Sequence, residues 1–506
     1  MSPLLGIQWT YGLVVFLLSL YSLNHGILAV VFWRRRRRHP DVTPPGALDA
    51  PVTIQIPIYN EIFVAERVIR SACDVDYPRH LLEIQVLDDS TDETVDLTRR
   101  LVAEYQAEGV SITHVHRTDR RGFKSGALAN GLAQARGEFL AVFDADFVVP
   151  PDFLHRTIPH FGDPRVGFVQ TRWSYYNETA SELTRATALA LDGHFVVEQS
   201  ARSWAGWFLN FNGTAGVLRR AAIVDAGGWQ DDTLTEDLDL SYRLQLAGWR
   251  PVFLPHVTCP SEIPEDVHSL KVQQFRWTKG PIETARKLLP RLWRADLPLL
   301  VKWQGTMHLL GATAYPLIVL MTLLTPAMVV AAAHRPSRMI WPLSLYFFVA
   351  TLGTLICYAS AACWRGGAWW ARLLRYPLFL ALSIGISAHN TLAVLEALRG
   401  KRSSFERTPK YRATIDGPAV RAARYRSRVS WSLALDVVLA VCSATALTLA
   451  IQLGQYGAVP FLTLCTGGYC VVSLYALSHL RQRRARTIVI RTATPEAELA
   501  SAELVS

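Results

Sequence analysis

Several short groupings between residues 50 and 280 carry the residue types of group-transfer chemistry. Asp144-Ala145-Asp146 follows the apolar run FLAVF. Carboxylates two residues apart at a strand end suit a hard divalent cation, Mg²⁺ or Mn²⁺, that also grips substrate phosphates. A solvated acidic turn is the plainer alternative. Asp88 and Asp89 follow IQVL and are placed to accept hydrogen bonds from a base and ribose, while Ser90, Thr91 or Asp92 with Glu93 would cap the next helix. Tyr59 and Glu61 close another run, where a tyrosine ring suits a nucleobase face or a plain strand-end turn. The loop RRGFKSG offers Lys124 and backbone N–H groups to a diphosphate without the spacing of a Walker A loop. Thr235-Glu236-Asp237 supplies a carboxylate suited to general-base work on a sugar hydroxyl, or else an N-cap at Thr235. Asn212-Gly213-Thr214 is small and polar, a floor for an acceptor sugar or a turn. QQFRW, residues 273–277, packs amides, a ring, a guanidinium and an indole into five positions just before a long apolar half.

These groups need a scaffold that brings them together. VTIQIPIYN, LEIQVLDD and FLAVFDAD are β-rich runs ending in polar residues, and helical patterns such as AERVIRSAC and DETVDLTRRLVAEY lie between them. The alternation predicts a largely parallel, doubly wound α/β sheet. Ligands on such sheets bind at the carboxyl ends of the strands, where the Tyr59, Asp88 and Asp144 groups fall.

Half of the chain is apolar and its formal charge is +10. The basic excess sits in RRRRR at 34–38, in 399–428 and in RQRRAR at 481–486, each beside an apolar segment. That placement fits the positive-inside rule and argues against a nucleic-acid partner. The seven cysteines form no CxxC pair and read as reduced thiols. Residues 9–33 carry no formal charge and are long enough to cross a bilayer core of roughly 30 Å. The arginines follow them, which predicts a retained anchor with its amino terminus outside. Further apolar segments run over 305–333, 339–363, 373–398, 429–452 and 456–480. If all spanned, the basic loop 399–428 would lie outside. Segment 373–398, with His389, Asn390 and Glu396, is therefore expected to lie along the cytoplasmic interface, leaving five crossings rather than six.

The ordered set of DD, DxD, TED and QxxRW between membrane anchors resembles the family 2 glycosyltransferases of the processive β-glycan synthase type. VTIQIPIYNE, IQVLDDSTDET, RGFKSGALANG, VQTRWSYYNE, DGHFVVEQ, FNGTAGVLRR and TEDLDLSYRLQLAGW look most like the cellulose-synthase-like mannan, glucomannan and xyloglucan-backbone synthases. The likeness spans roughly 50–290 and resumes at AHNTLAVLEALRG and at Phe405-Glu406-Arg407-Thr408-Pro409-Lys410. The last of these is similar to the gating loop of bacterial cellulose synthase, from which Glu406-Arg407 departs. The implied fold is a nucleotide-diphospho-sugar transferase domain at 40–300, inserted between transmembrane helices of a multi-pass protein. An anchor and basic flank occupy 1–39, two crossings 301–371, the interfacial helix and gating-like loop 372–428, two crossings 429–482 and a tail 483–506. Bacterial cellulose synthase carries a cyclic-di-GMP-binding module after its last crossing; the tail here departs from that pattern, so control by that nucleotide through this chain is not expected.

By the same resemblance, Gln273, Arg276 and Trp277 lie on a helix at the membrane surface that roofs the site. Arg276 and Gln273 meet the diphosphate and the acceptor end, and Trp277 gives the terminal sugar a platform. Tyr59, Glu61, Asp88, Asp89, Lys124 and Asp144 hold the nucleotide sugar, and Asp144 and Asp146 the metal. Asp237 is the base, with Glu236, Gly213 and Thr214 beside the acceptor. The donor is GDP-mannose, GDP-glucose or UDP-glucose, and the linkage is formed with inversion. The acceptor is a growing glycan or, as in ceramide and diacylglycerol glucosyltransferases, a lipid. A transporter or scaffold would not need the acidic groups. A bacterial plasma membrane with the catalytic domain in the cytosol is expected, or a Golgi membrane in a plant.

Overall fold

The computed structural model describes residues 3–37, 49–334, 343–401, 403 and 432–492. The gating-like FERTPK segment and most of the basic stretch 399–428 lie outside them.

A seven-stranded mixed sheet forms the centre of the segment after the anchor. Its strands are β1 (Val52–Ile58), β2 (Leu82–Asp88), β3 (Ile112–His116), β4 (Phe139–Val142), β5 (Val166–Tyr175), β6 (Gly216–Arg219) and β7 (Arg250–Ser261), in the order β3-β2-β1-β4-β6-β5-β7. β3, β2, β1 and β4 run parallel, as do β5 and β7, while β6 is antiparallel to both of its neighbours. The parallel half follows from its sequence. β2 is buried along its whole length, β1 nearly so, and such strands read as apolar, β-branched runs because helices cover both faces. Alternate residues of β4 point to opposite cores. Phe139 and Ala141 join Val52, Ile54 and Ile56 on one side, and Leu140 and Val142 join Leu128, Phe168 and Leu218 on the other. The reversed β6 is the element that β-propensity alone does not announce.

The anchor is a continuous helix, Pro3–Arg35, longer than the expected 9–33. By length and composition, five helical stretches among the described residues are long and apolar enough to cross a membrane: Leu5–Arg35, Leu299–His334, Phe348–Arg365, Leu433–Gln452 and Tyr456–Tyr475. The remaining segment is not one helix. Trp369–Gly385 and Ser387–Leu398 meet at a bend of 50°. Small residues explain part of this packing, since they let helix backbones approach closely. A Cβ on Gly385 would lie 2.4 Å from the Gly468 carbonyl oxygen, and one on Gly468 would lie 2.1 Å from that of Ala381. The second arm, Ser387–Leu398, packs on the long helix Val267–Arg294 that carries QQFRW.

Candidate active site

The strand ends converge on a cleft of about 210 Å³ lined by Tyr59, Glu61, Asp89, Lys124, Asp144, Asp146, Glu236, Asp237, Gln273, Arg276 and Trp277, among others. These eleven residues, with Asn212 and Thr235, are all singled out in the sequence and meet in one place. Asp88, Gly213 and Thr214 do not line it, and each has another position.

Asp88 lies fully buried behind the cleft. Its carboxylate accepts from the Ser90 N–H at 2.9 Å and pairs with His114 Nε2 at 2.8 Å. Burial works against its charge, but those hydrogen bonds prevail and hold it below the usual carboxylate range. The neighbour Asp89 does reach the cleft, gripped by Arg117 at 2.7 and 2.5 Å. With His116, Asp88 and His114 form the group of three potential metal ligands found among the described residues. It sits on the β2–β3 pair, with β1 between it and β4, the strand that leads to the DxD. The expected helix cap is partial: Asp92 Oδ1 accepts from the Thr94 N–H at 3.0 Å, without a reciprocal box. Ser90 and Thr91 instead join the first strand's end, through Asn60 N–H to Ser90 Oγ and Thr91 N–H to Asn60 Oδ1, both 2.8 Å. One face of the Tyr59 ring is covered by the Arg120 guanidinium, 3.3 Å from its centroid.

The centre of the cleft is organised around Gly213. Its φ of +76° favours glycine, and a Cβ there would lie 2.8 Å from Asp237 Oδ2 and 3.2 Å from Lys124 Nζ. Glycine thus brings the amine and the candidate base to the same point. Lys124 Nζ donates to Asp144 Oδ1 at 2.5 Å and to the Gly213 carbonyl at 2.9 Å. Burial alone would lower its pKa, but Asp144, Glu236 and Asp237 outweigh that and raise it, so it stays charged. Thr214 Oγ1 accepts from the Asp144 N–H at 2.9 Å and fixes the DxD turn from below.

Glu236 and Asp237 open the helix Glu236–Leu246. Thr235 makes no side-chain cap; it is pressed against Gly280 of the roof helix, where a Cβ would come within 2.3 Å of its Oγ1. Burial and then the adjacent Glu236 push the Asp237 pKa up to about 7, against the lowering pull of Lys124. A carboxylate so tuned can take a proton near neutrality. Arg276 is surrounded by Asp144, Glu236, Asp146 and Asp237, while burial lowers its pKa. Gln273 is buried with its Oε1 unpaired among the described residues.

Asp144 and Asp146 offer an all-oxygen donor set of the kind hard divalent cations take. Asp144 Oδ1 is held by Lys124, and among the described residues nothing hydrogen-bonds to Oδ2. The pair fits Mg²⁺ or Mn²⁺ only with further oxygens, which a diphosphate would bring.

A second cavity, of about 600 Å³, shares Trp173, Asn212, Asp237 and Trp277 with the cleft and continues among the candidate membrane helices past Tyr21, His25, Tyr315, Tyr358 and Phe461. At its entrance Glu198 stands between His25 of the anchor and His194, each at 3.0 Å, and His194 reaches Asn212 Oδ1 at 3.2 Å. Single-residue reasoning missed this network. Its only sequence trace is the block DGHFVVEQ, which becomes a wide π-helical turn, Gly193–Gln199.

Comparison with known proteins bears on the whole assembly. Residues 50–280 match the family model described as glycosyltransferase-like family 2. The chain is 36% identical over 357 residues to glucomannan 4-beta-mannosyltransferase 7 of Arabidopsis thaliana, covering 67% of this chain and 64% of that one. It is 41% identical over 301 residues to glucomannan 4-beta-mannosyltransferase 1 of Oryza sativa subsp. japonica, covering 56% and 57%. The chain thus spans less than two thirds of the length of these relatives. Among solved structures, the mannosyltransferase PcManGT from Pyrobaculum calidifontis, in complex with GDP-Man and Mn²⁺, aligns with a TM-score of 0.51 at 23% identity, over 78% of this chain and all of that one. That likeness concerns the fold alone. Residues 50–280 are accordingly a glycosyltransferase domain of the family 2 type, of the kind found in the glucomannan mannosyltransferases.

Proposed function

We propose that this chain is an inverting hexosyltransferase that moves mannose from GDP-mannose to the end of a growing β-glycan. One observation carries the reading. Asp237, Lys124 and the DxD carboxylate Asp144 close around Gly213 at the point where the cleft opens into the aromatic-lined cavity. The names of the similar proteins support mannose as the sugar and GDP as the carrier.

In this mechanism Tyr59, Glu61 and Asp89 receive the nucleoside. Asp88 acts from behind, through Ser90 and His114. Lys124 and Arg276 face the diphosphate, where negative charge grows as the glycosidic bond breaks. A Mg²⁺ or Mn²⁺ ion held by Asp144 and Asp146 would add to that neutralisation. Asp237 takes the proton from the acceptor hydroxyl as its oxygen attacks the anomeric carbon opposite the leaving group. One displacement inverts the configuration, so an α-linked donor gives a β-linkage. Trp277, 6.2 Å from Trp173 between ring centroids, offers the acceptor sugar an aromatic platform at the cavity mouth. The growing chain then enters the cavity among the membrane helices. The basic runs beside the apolar segments support a cytosolic catalytic domain.

Membranes carrying the protein, given Mn²⁺ and separately labelled GDP-mannose, GDP-glucose and UDP-glucose, test this reading. Ethanol-insoluble label from GDP-mannose that β-mannanase releases is expected. Label confined to a solvent-extractable lipid would replace the polymer with a glycolipid, and label taken only from UDP-glucose would replace the sugar.

A further inference from the structure

The roof helix, Val267–Arg294, does more than place Gln273, Arg276 and Trp277 over the cleft. On its next turns, Lys279 and Glu283 sit four residues apart on one face. Lys279 is fully buried. Its ammonium reaches Glu396 Oε2 at 3.1 Å, the Lys401 carbonyl at 2.7 Å and Ser403 Oγ. Nearby, Arg286 Nη1 donates to the Ala397 carbonyl at 2.6 Å. The helix is therefore clamped to the segment 396–403. Glu283 faces the other way along the chain of contacts. Its Oε1 is 3.9 Å from Lys279 Nζ, and its Oε2 accepts from the Leu234 N–H at 2.8 Å. Leu234 lies three residues before Asp237, and the intervening Thr235 is wedged against Gly280 of the same helix.

We propose that Lys279 and Glu283 are positioning residues that register the loop carrying Asp237 against the 396–403 segment. The inference rests on the reading of Asp237 as the base. A buried ammonium needs its acceptors, so the seat of 396–403 fixes where Lys279 stands. Lys279 orients the Glu283 carboxylate, and that carboxylate holds the backbone of the catalytic loop at Leu234. The base then keeps its distance from the acceptor hydroxyl only while 396–403 is docked. Neither residue lines the cleft.

The test uses the full-length protein in detergent, with kcat and donor KM read from GDP release and GDP·Mn²⁺ binding read by calorimetry. Glu283→Ala and Lys279→Met are each expected to lower kcat by about 10–100-fold, the scale of a slightly misplaced catalytic group, with unchanged GDP·Mn²⁺ affinity. The double variant should be no worse than the poorer single one, because both act through one connection. Lys279→Arg, which keeps the charge and the donors, should recover most of the rate. Wild-type kcat in Glu283→Ala, additive losses in the double variant, or a loss confined to donor KM would overturn the inference. Should Lys279→Met fail to accumulate, Glu283→Ala and Lys279→Arg decide between the same outcomes. Asp237→Asn measured alongside separates the two claims. An active Asp237→Asn overturns the base assignment and this inference with it; an inactive one beside fully active Glu283→Ala overturns this inference alone.

Discussion

Asp237→Asn is expected to lower turnover by about 10²–10⁴-fold, the usual contribution of a positioned general base, while GDP·Mn²⁺ binding persists. The amide keeps the shape of the carboxylate and its acceptor oxygen for the Leu238 N–H at 2.8 Å, so the helix start survives. What it lacks is the basic lone pair. The wild-type protein should also show a pH signature. Asp237 acts only when deprotonated, and burial with Glu236 beside it lifts its pKa to about 7. Activity at limiting donor should therefore rise with pH through the neutral range, on a limb far above that of an exposed aspartate. Initial rates of GDP release across pH 5–9, with binding measured at the same points, check both statements. A variant with near-normal turnover, or a flat profile down to pH 5, would remove Asp237 from the role.

Lys124→Met is expected to cost about 10²–10³-fold in kcat, the scale seen when one preorganised donor to a developing anion is removed. Methionine matches the length of the stem without the ammonium. The loss should fall on kcat more than on donor KM, because the demand for positive charge is greatest as the diphosphate leaves. A second effect follows from the same contacts. Lys124, with the Leu238 N–H, pulls the Asp237 pKa down, against burial and Glu236. Its removal should move the neutral limb of the pH profile to higher pH. Steady-state kinetics of the variant at several pH values reads both. An unchanged kcat with a raised donor KM would make Lys124 a contact of equal strength in the ground and transition states.

The parts of this architecture legible in the sequence are those where local pattern and tertiary placement agree. β1, β2 and β4 are buried on both sides, so their apolar runs and the acids after them locate both the sheet and the cleft. DxD, TED and QxxRW are compact enough for spacing to bring their residues to one wall. Asp88 was harder, because neighbouring carboxylates on an extended chain point to opposite sides, and only pairing with β3 shows that it meets His114 while Asp89 faces the cleft. The reversed strand β6 depends on its neighbours in the sheet, which no window of sequence contains. The break between Trp369–Gly385 and Ser387–Leu398 hid inside an apolar run whose composition suits one helix. The pairing of Glu198 with His25 and the contact of Lys279 with Glu396 join residues more than a hundred positions apart, beyond the reach of any local pattern.

The central claim is a single displacement at the carbon held between Lys124 and Asp237. It is tested most directly by the anomeric configuration of the product. Purified protein would be given α-configured GDP-mannose carrying ¹³C at the anomeric carbon, and the one-bond carbon–hydrogen coupling of the new linkage read by NMR. The mechanism predicts β-linked product, formed with release of GDP and absent from Asp237→Asn. An α-linked product would contradict it, since a single displacement opposite the leaving group inverts the anomeric configuration.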